Sequence, residues 1–284
     1  MIDRTDGPGP SNRGLAVVTG ASSGIGRAFA EILAGEGFDL VIAADEPYIL
    51  EVGAELTAAT GRRVVPLHVD LSGGPGVEHL HEQASAQDVP VTLAVLNAGM
   101  GVHGRFDEVD LERQLQLIDL NVRSTVHLAT LLTRDMVLRE EGRLLFVSSI
   151  AGKGPGPGHA AYAASKAFVH SFAEATRHEL AGTGVSVTSL LPGPTDTAFF
   201  ERAGMQDTVV AQGPKDDPYD VAREGYDAMM AGRDQVVAGS ARNTLQATAA
   251  ALVPDRVGAA VAARQTREKN GSQGRQEGAS DGDG

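Results

Sequence analysis

Short apolar, β-branched runs alternate with longer helical segments along most of this 284-residue chain. Seven runs have the pattern of strands, at residues 15–19, 40–44, 64–69, 93–97, 144–148, 185–190 and 235–238. They are continuously apolar, which is typical of parallel strands covered on both faces. Segments of helical length lie between them, at residues 25–36, 48–60, 77–86, 111–138, 161–181 and 219–231. This repetition predicts crossover connections and a doubly wound parallel α/β sheet of about seven strands flanked by helices.

One domain, residues 14–264, is the simplest division, because neither a sequence repeat nor an internal linker interrupts it. Residues 1–13 are polar and rich in Gly and Pro, and we predict a flexible leader without a secretory signal. Residues 265–284 have no apolar anchor, which predicts a disordered tail. The Ala content of residues 243–267 predicts a helix after the sheet, as an oligomer contact or a cap.

Charge and composition exclude several classes of partner. The 37 acidic and 24 basic residues give a formal net charge of −13, which argues against nucleic acid and anionic lipid as partners, since both are polyanions. No run of about 18 uncharged apolar residues is present, so we expect no membrane span. The lack of cysteine excludes thiolate chemistry and favours a cytoplasmic location. The eight histidines show no metal-binding spacing, and no metal is predicted.

The first predicted strand runs directly into a glycine-rich turn at residues 19–26, with a helix starting near residue 25. Glycines let the backbone approach a pyrophosphate closely, and the free amides of the following helix bind it. The position of the turn therefore indicates a Rossmann-type dinucleotide site. The residues predicted to line it are Gly20, Ser22, Ser23, Gly24, Ile25 and Gly26.

From this turn onwards the chain resembles the short-chain dehydrogenase/reductase family, in its single-domain branch with a Thr-Gly-x-x-x-Gly-x-Gly turn. The resemblance covers residues 15–238 and depends on several motifs that follow in the family's order and spacing. These are Asn97-Ala98-Gly99, Asn121, Ser149, Tyr162-x-x-x-Lys166 and Pro192-Gly193. The resemblance implies a nicotinamide cofactor that contacts Asp70, Leu71, Asn97, Ala98, Gly99, Tyr162, Lys166, Pro192, Gly193, Thr195 and Thr197.

Asp45 follows the second strand about 20 residues after the glycines, where an acid commonly binds the adenosine ribose. With Glu46 beside it, Asp45 would repel a 2′-phosphate, and no Arg or Lys follows this strand. Position 23, which the resemblance implies is basic in phosphate-binding members, is Ser23. We therefore expect NAD rather than NADP. Two alternatives stay open: Asp45 is a solvated turn residue, or Ala44 occupies the family's usual acid position.

Tyr162 and Lys166 lie four residues apart on a predicted helix and so share one face. Interconversion of an alcohol and a ketone needs a group that exchanges a proton with the reacting oxygen. Lowering a tyrosine pKa from about 10 into the neutral range takes about 4 kcal/mol, which a nearby ammonium and an oxidised nicotinamide could supply. The expectation is therefore that Lys166 lowers the pKa of Tyr162, which acts as general acid/base.

By resemblance, Ser149 bonds the reacting oxygen, with Ser148 as the rival assignment. The resemblance also implies that Lys166 binds the nicotinamide ribose and that Asn121 holds a water that links Lys166 to solvent. A purely structural role at a helix kink is the alternative for Asn121. His159 is a candidate for the substrate mouth or for an exposed loop position.

The residues expected around the substrate are mainly apolar: Met100, Val102, Ile150, Phe199, Phe200 and Met205. They predict a hydrophobic secondary alcohol or its ketone as substrate, and the resemblance implies a homodimer or homotetramer. Two further functions remain open, an NADP-dependent ketoreductase and a non-catalytic dinucleotide-binding scaffold, since fold alone does not determine function. An epimerase or dehydratase that retains the cofactor is a third.

Overall fold

A computed structural model of the protein describes residues 13–252 and 255–267. Its centre is a parallel sheet in the order β3-β2-β1-β4-β5-β6-β7. The strands are β1 (Leu15–Thr19), β2 (Asp39–Ala44), β3 (Val64–His68), β4 (Val91–Leu96), β5 (Gly142–Val147), β6 (Val185–Pro192) and β7 (Gln235–Ala238). The predicted doubly wound Rossmann architecture is confirmed.

Ten α-helices lie within the described residues. They are α1 (Gly24–Gly35), α2 (Ile49–Thr60), α3 (Gly74–Ser85), α4 (Leu111–Ile118), α5 (Ser124–Leu138), α6 (Ala160–Glu179), α7 (Phe199–Arg202), α8 (Pro218–Met230), α9 (Ala241–Leu252) and α10 (Asp255–Gln265). The sequence did not predict α7, because four residues are too few to show a helical period.

The sheet is covered on both faces, which explains the continuously apolar strands. Along β1, Ala16 and Val18 pack in one apolar layer with residues of α1, α2 and α8. The alternate residues Leu15 and Val17 pack in the other layer with residues of α3, α5 and α6. Both sets are buried, so each strand contributes to two cores.

The predicted single helix 111–138 is wrong in one respect: a π-helical turn, Asp119–Arg123, interrupts it. The cause lies at Asn121, whose buried side chain accepts a hydrogen bond from the amide of Met100 and donates one to the carbonyl oxygen of Met100. Thr125 donates its hydroxyl proton to the carbonyl oxygen of Asn121 at 2.9 Å, which supplies a further partner within the widened turn. Such turns occur frequently at functional sites.

The strand order reverses between β1 and β4, whose carboxyl ends both face one edge of the sheet. Ligands of open α/β sheets bind at such a switch point, outside the carboxyl ends of the strands. A cavity of about 600 Å³ lies there.

The segment after β7 is helical, as predicted, and is divided into α9 and α10. The hydroxyl of Thr266 donates to the carbonyl oxygen of Pro157 at 2.8 Å, and the amide of Val210 donates to the carbonyl oxygen of Gln265 at 3.0 Å. Residues 265–267 thus lie against the domain, although the predicted tail begins at 265. Most of the predicted leader and tail, residues 1–12 and 268–284, lies outside the described residues. Within the described ranges no helix is long and apolar enough to cross a membrane.

Candidate active site

One elongated cavity contains nearly all of the predicted site residues. The predicted cofactor residues on its wall are Gly20, Ser22, Ser23, Gly24, Ile25, Asp45, Asp70, Leu71, Asn97, Ala98, Gly99, Pro192, Gly193, Thr195 and Thr197. Ser149, Tyr162 and Lys166 line the same cavity. The structure therefore brings the glycine-rich turn and the Ser/Tyr/Lys group together, although up to 146 positions separate them in the chain.

The glycine-rich turn passes from β1 into the first turn of α1, which contains no carboxylate. Gly20 and Gly24 have φ values of +66° and +56°, a left-handed conformation that favours glycine. Gly26 lies just behind the cavity wall, where a Cβ would collide with the carbonyl oxygen of Gly20 and with Asn97 Nδ2. Its role in this structure is close packing of the turn, not contact with the cavity.

Asn97 ties the end of β4 to the same turn, since its Nδ2 donates to the carbonyl oxygens of Thr19 (2.9 Å) and Gly20 (3.2 Å). Asp70 accepts hydrogen bonds from the amide and hydroxyl of Ser72, both at 2.8 Å. The exposed Asp45 follows β2 and lines the cavity. The turn, Asp45 and Asp70 thus surround one end of the cavity, where an adenosine would lie.

Ser149, Tyr162 and Lys166 meet at the other end. Tyr162 is hydrogen-bonded with Ser149, whose Oγ also accepts from the amide of Ala151 at 3.1 Å. Lys166 Nζ lies 6.0 Å from the centre of the Tyr162 ring. Ser148 turns its hydroxyl to the carbonyl oxygen of Lys166 at 2.7 Å, so the geometry favours Ser149 over Ser148 as the partner of a reacting oxygen.

Similarity to known proteins identifies the family. The short chain dehydrogenase family matches residues 14–207. An uncharacterised oxidoreductase of Staphylococcus saprophyticus is 33% identical over 216 residues, which are 76% of this chain and 90% of that protein. The chain belongs to the short-chain dehydrogenase family.

Solved structures agree with this assignment. A short-chain dehydrogenase from Sphingobium yanoikuyae in complex with NADPH superposes with a TM-score of 0.74 at 27% identity, covering 79% of this chain and 87% of that one. One from Burkholderia phymatum in complex with NAD gives a TM-score of 0.73 at 28% identity, covering 80% and 89%. This chain is thus an NAD(P)-dependent oxidoreductase, and the two neighbours differ in the cofactor they hold.

Some relatives are much longer proteins. The chain is 33% identical over 219 residues to a glycine betaine reductase of Emericella nidulans, but it spans only 17% of that protein.

The chemistry of the cavity fits a nicotinamide dinucleotide. The N-cap residue of α1, Ser23, forms no side-chain capping bond to its own helix. The amides of the first turn therefore depend on other partners, and an anion such as a pyrophosphate supplies them. Carboxylates at Asp45 and Asp70 add acceptors for ribose or adenine donors.

The pKa of Tyr162 is raised in this structure, whereas the sequence predicted that Lys166 would lower it. Burial raises the pKa of this phenol to about 12, and the hydrogen bond with Ser149 only partly offsets the rise. Burial also lowers the pKa of Lys166 to about 8, while its ammonium donates to the carbonyl oxygen of Val147 at 2.9 Å. The chain's own residues thus hold Tyr162 as a neutral phenol, because loss of solvation outweighs the hydrogen bond with Ser149.

Asn121 is buried and does not line the cavity. Its Oδ1 accepts from the amide of Met100 at 2.9 Å, and its Nδ2 donates to Ser165 Oγ at 3.0 Å. A Cβ placed on Gly99 would lie 3.1 Å from Asn121 Oδ1 and 3.3 Å from Lys166 Nζ, so both groups lie beside this glycine. The structural role of Asn121 at the helix interruption is visible, and the predicted relay remains a proposal.

The loop after β6 closes one side of the cavity. The hydroxyl of Thr197 accepts a hydrogen bond at 3.2 Å from the amide of Phe199, the first residue of α7. Thr195 donates its hydroxyl proton to the carbonyl oxygen of Gly193 at 3.0 Å. Both hydroxyls therefore hold the loop itself, while the residues still line the cavity.

Apolar side chains dominate the end beyond Tyr162. Five of the six predicted substrate residues line the cavity there: Met100, Ile150, Phe199, Phe200 and Met205. Val102 does not, and lines a separate, smaller pocket. The sequence missed the contribution of α10, which adds Gly258, Val261 and Ala262. The sequence predicted a helix here, as an oligomer contact or a cap, but not its contact with the cavity, because that contact joins distant parts of the chain.

His159 also lines the substrate end and is not an exposed loop residue. Burial, with His103 nearby, lowers the pKa of His159 to about 4, so the ring is neutral at neutral pH. Among the residues that the structure describes, no three His, Asp or Glu side chains come together as metal ligands.

Proposed function

We propose that this short-chain dehydrogenase interconverts a hydrophobic secondary alcohol and its ketone, with NAD preferred over NADP. The observation that carries the proposal is the convergence of Ser149, Tyr162 and Lys166 between the dinucleotide end and the apolar end of one cavity. When bound, the nicotinamide supplies the hydride exchange with the substrate carbon. The chain's residues orient the substrate and move the proton.

In the proposed reaction, the hydroxyls of Ser149 and Tyr162 bind the substrate oxygen. Tyr162 donates its phenolic proton to the oxygen during reduction and takes it back during oxidation. The phenol of Tyr162 is neutral at physiological pH, since its pKa is about 12, which suits the donor role. Oxidation needs additional positive charge near the phenol, and the ammonium of Lys166, 6.0 Å from the centre of the Tyr162 ring, supplies it.

The substrate class follows from the apolar walls. Tyr162 packs against Phe199 with ring centres 5.1 Å apart, and Phe199 packs against Phe200 at 5.7 Å. An apolar substituent on the reacting carbon would be buried among these rings and the side chains of α10.

The preference for NAD is proposed on charge. Asp45 lines the adenosine end, where a carboxylate accepts hydrogen bonds from a ribose diol and repels a 2′-phosphate. A homodimer or homotetramer is proposed because Leu111, Leu115 and Ile118 are exposed apolar residues on one face of α4, and Phe168 on the contacting helix α6 is also exposed. A cytoplasmic location remains a proposal that depends on the cysteine-free sequence.

The test is a panel of hydrophobic secondary alcohols and ketones, assayed by the absorbance of NADH and, in parallel, of NADPH. We expect turnover with bulky apolar substrates and higher kcat/KM with NADH. Comparable kcat/KM for the two cofactors would remove the argument from Asp45. Binding of NADH without turnover of any alcohol or ketone would favour the scaffold function. A light-scattering mass equal to one chain would contradict the oligomer.

A further inference from the structure

Arg202, the last residue of α7, lines the cavity and contacts two other parts of the chain. Its Nη2 donates to the hydroxyl of Ser23 in the glycine-rich turn at 2.7 Å. Its Nη1 lies 3.2 Å from Oε1 of Glu46, just after β2. Nearly 180 positions separate Arg202 from Ser23, so no local sequence pattern indicates this contact.

This bridge puts a positive charge where the sequence showed only negative charge. Arg202, Ser23 and Asp45 line the same cavity, whereas Glu46 lies outside it. In a fold of this kind the adenosine ribose lies between the first glycine-rich turn and the end of the second strand. The guanidinium of Arg202 therefore contacts both elements that would flank the ribose, at Ser23 and just after β2.

The surroundings of Arg202 suit an exchange of anions. A guanidinium pairs a phosphate through two parallel N–H donors, and a serine hydroxyl adds a third. The ion pair with Glu46 is partly exposed, with 49% of the Arg202 side chain and 38% of the Glu46 side chain accessible. Exposed ion pairs contribute little to stability, so a phosphate dianion competes effectively with one carboxylate.

We propose that Arg202 determines cofactor choice in this dehydrogenase: it is the cation available to an adenosine 2′-phosphate, and Glu46 occupies it in the absence of that phosphate. The preference for NAD then depends on two carboxylates with different roles. Asp45 repels the phosphate, and Glu46 competes for Arg202. The inference rests on the proposed function only in requiring that the cavity binds a nicotinamide dinucleotide.

The experiment is a double-mutant cycle with wild type, Arg202→Gln, Glu46→Gln and the double variant. The Kd values of NADPH and NADH are measured by calorimetry, so no turnover is needed. Arg202→Gln should raise the Kd of NADPH by about tenfold and change the Kd of NADH by less than about twofold, because only NADPH has the 2′-phosphate. Glu46→Gln should lower the Kd of NADPH by about threefold or more, and this gain in affinity should disappear in the double variant.

Arg63→Gln is the matched control. Arg63 pairs with Asp88 at 3.3 Å. It directly precedes β3 and so lies at the amino ends of the strands, whereas the cavity lies at their carboxyl ends. Its loss removes the same charge without touching the site, and it should leave the ratio of the two Kd values unchanged. A change in that ratio would show that overall charge, not position, decides cofactor choice and would overturn the proposal.

Two other outcomes also overturn it. If Arg202→Gln weakens both cofactors equally, Arg202 only holds α7 in place. If the gain from Glu46→Gln persists in the double variant, the carboxylate acts directly on the phosphate. In both cases the wild type still binds a dinucleotide, so the proposed function stands. Failure of the wild type to bind either cofactor would overturn both proposals together.

Discussion

Lys166 donates a hydrogen bond from its Nζ to the carbonyl oxygen of Val147 at 2.9 Å, at the carboxyl end of β5. The backbone carbonyl of Lys166 accepts the hydroxyl proton of Ser148 at 2.7 Å. These two bonds tie α6 to the end of β5, the strand that directly precedes Ser148 and Ser149. The chain itself therefore positions the ammonium in a buried site, at a cost in solvation that lowers its pKa to about 8.

Replacing Lys166 with Met should abolish turnover and stabilise the protein. At pH 7 the buried lysine is charged, and a fall in pKa from 10.5 to about 8 corresponds to about 3 kcal/mol of destabilisation. The unfolded chain binds this proton up to its pKa near 10.5, so the wild type gains stability as pH rises from about 8 to 10.5. Urea unfolding should show an advantage of Lys166→Met of about 3 kcal/mol at pH 7, falling by about 2 kcal/mol at pH 9.5. An advantage that does not change with pH would assign it to packing instead.

Replacing Tyr162 with Phe should abolish turnover and leave NADH binding intact. The variant loses only the hydroxyl that exchanges the proton, while the ring keeps its packing against Phe199. A fall in kcat of about 10³-fold or more is expected for removal of the acid/base group. Tyr219→Phe, at an exposed tyrosine on α8, is the control and should retain full activity. Retained turnover in Tyr162→Phe would contradict the mechanism.

Replacing Gly26 with Ala should destabilise the domain and weaken cofactor binding, although Gly26 does not line the cavity. The added methyl group would collide with backbone at Gly20, which cannot move without distorting the turn. We expect a loss of about 2 kcal/mol or more in the free energy of unfolding. Gly35→Ala, in the same helix with open space around it, should instead stabilise by about 0.5 kcal/mol. Thermal unfolding with and without NADH separates the two variants.

Replacing Ala262 with Phe should exclude bulky substrates. Ala262 lines the cavity from α10, so a larger side chain removes volume from the apolar end. A drop of about tenfold in kcat/KM is expected for the bulkiest substrates, with little change for small ones. Ala263→Phe is the control, because Ala263 is exposed and does not line the cavity. Equal effects on large and small substrates would mean that α10 does not limit the pocket.

The sequence predicted the seven strands and the parallel sheet because buried parallel strands must be apolar along their whole length. It predicted the turn at residues 19–26 and the pair Tyr162 and Lys166 for a similar reason. Helical spacing and glycine conformation are local properties, and a short stretch of chain specifies them.

Only the tertiary structure decided what depends on distant contacts. The interruption at Asn121 follows from its hydrogen bonds to Met100. The apolar end of the cavity is completed by α10. The positive charge at the adenosine end comes from Arg202, which contacts Ser23. The direction of the Tyr162 pKa also needed the structure, because burial is a property of the whole fold. Local pattern determined the architecture and the reacting groups. Long-range packing determined their solvation, their charge environment and the shape of the pocket.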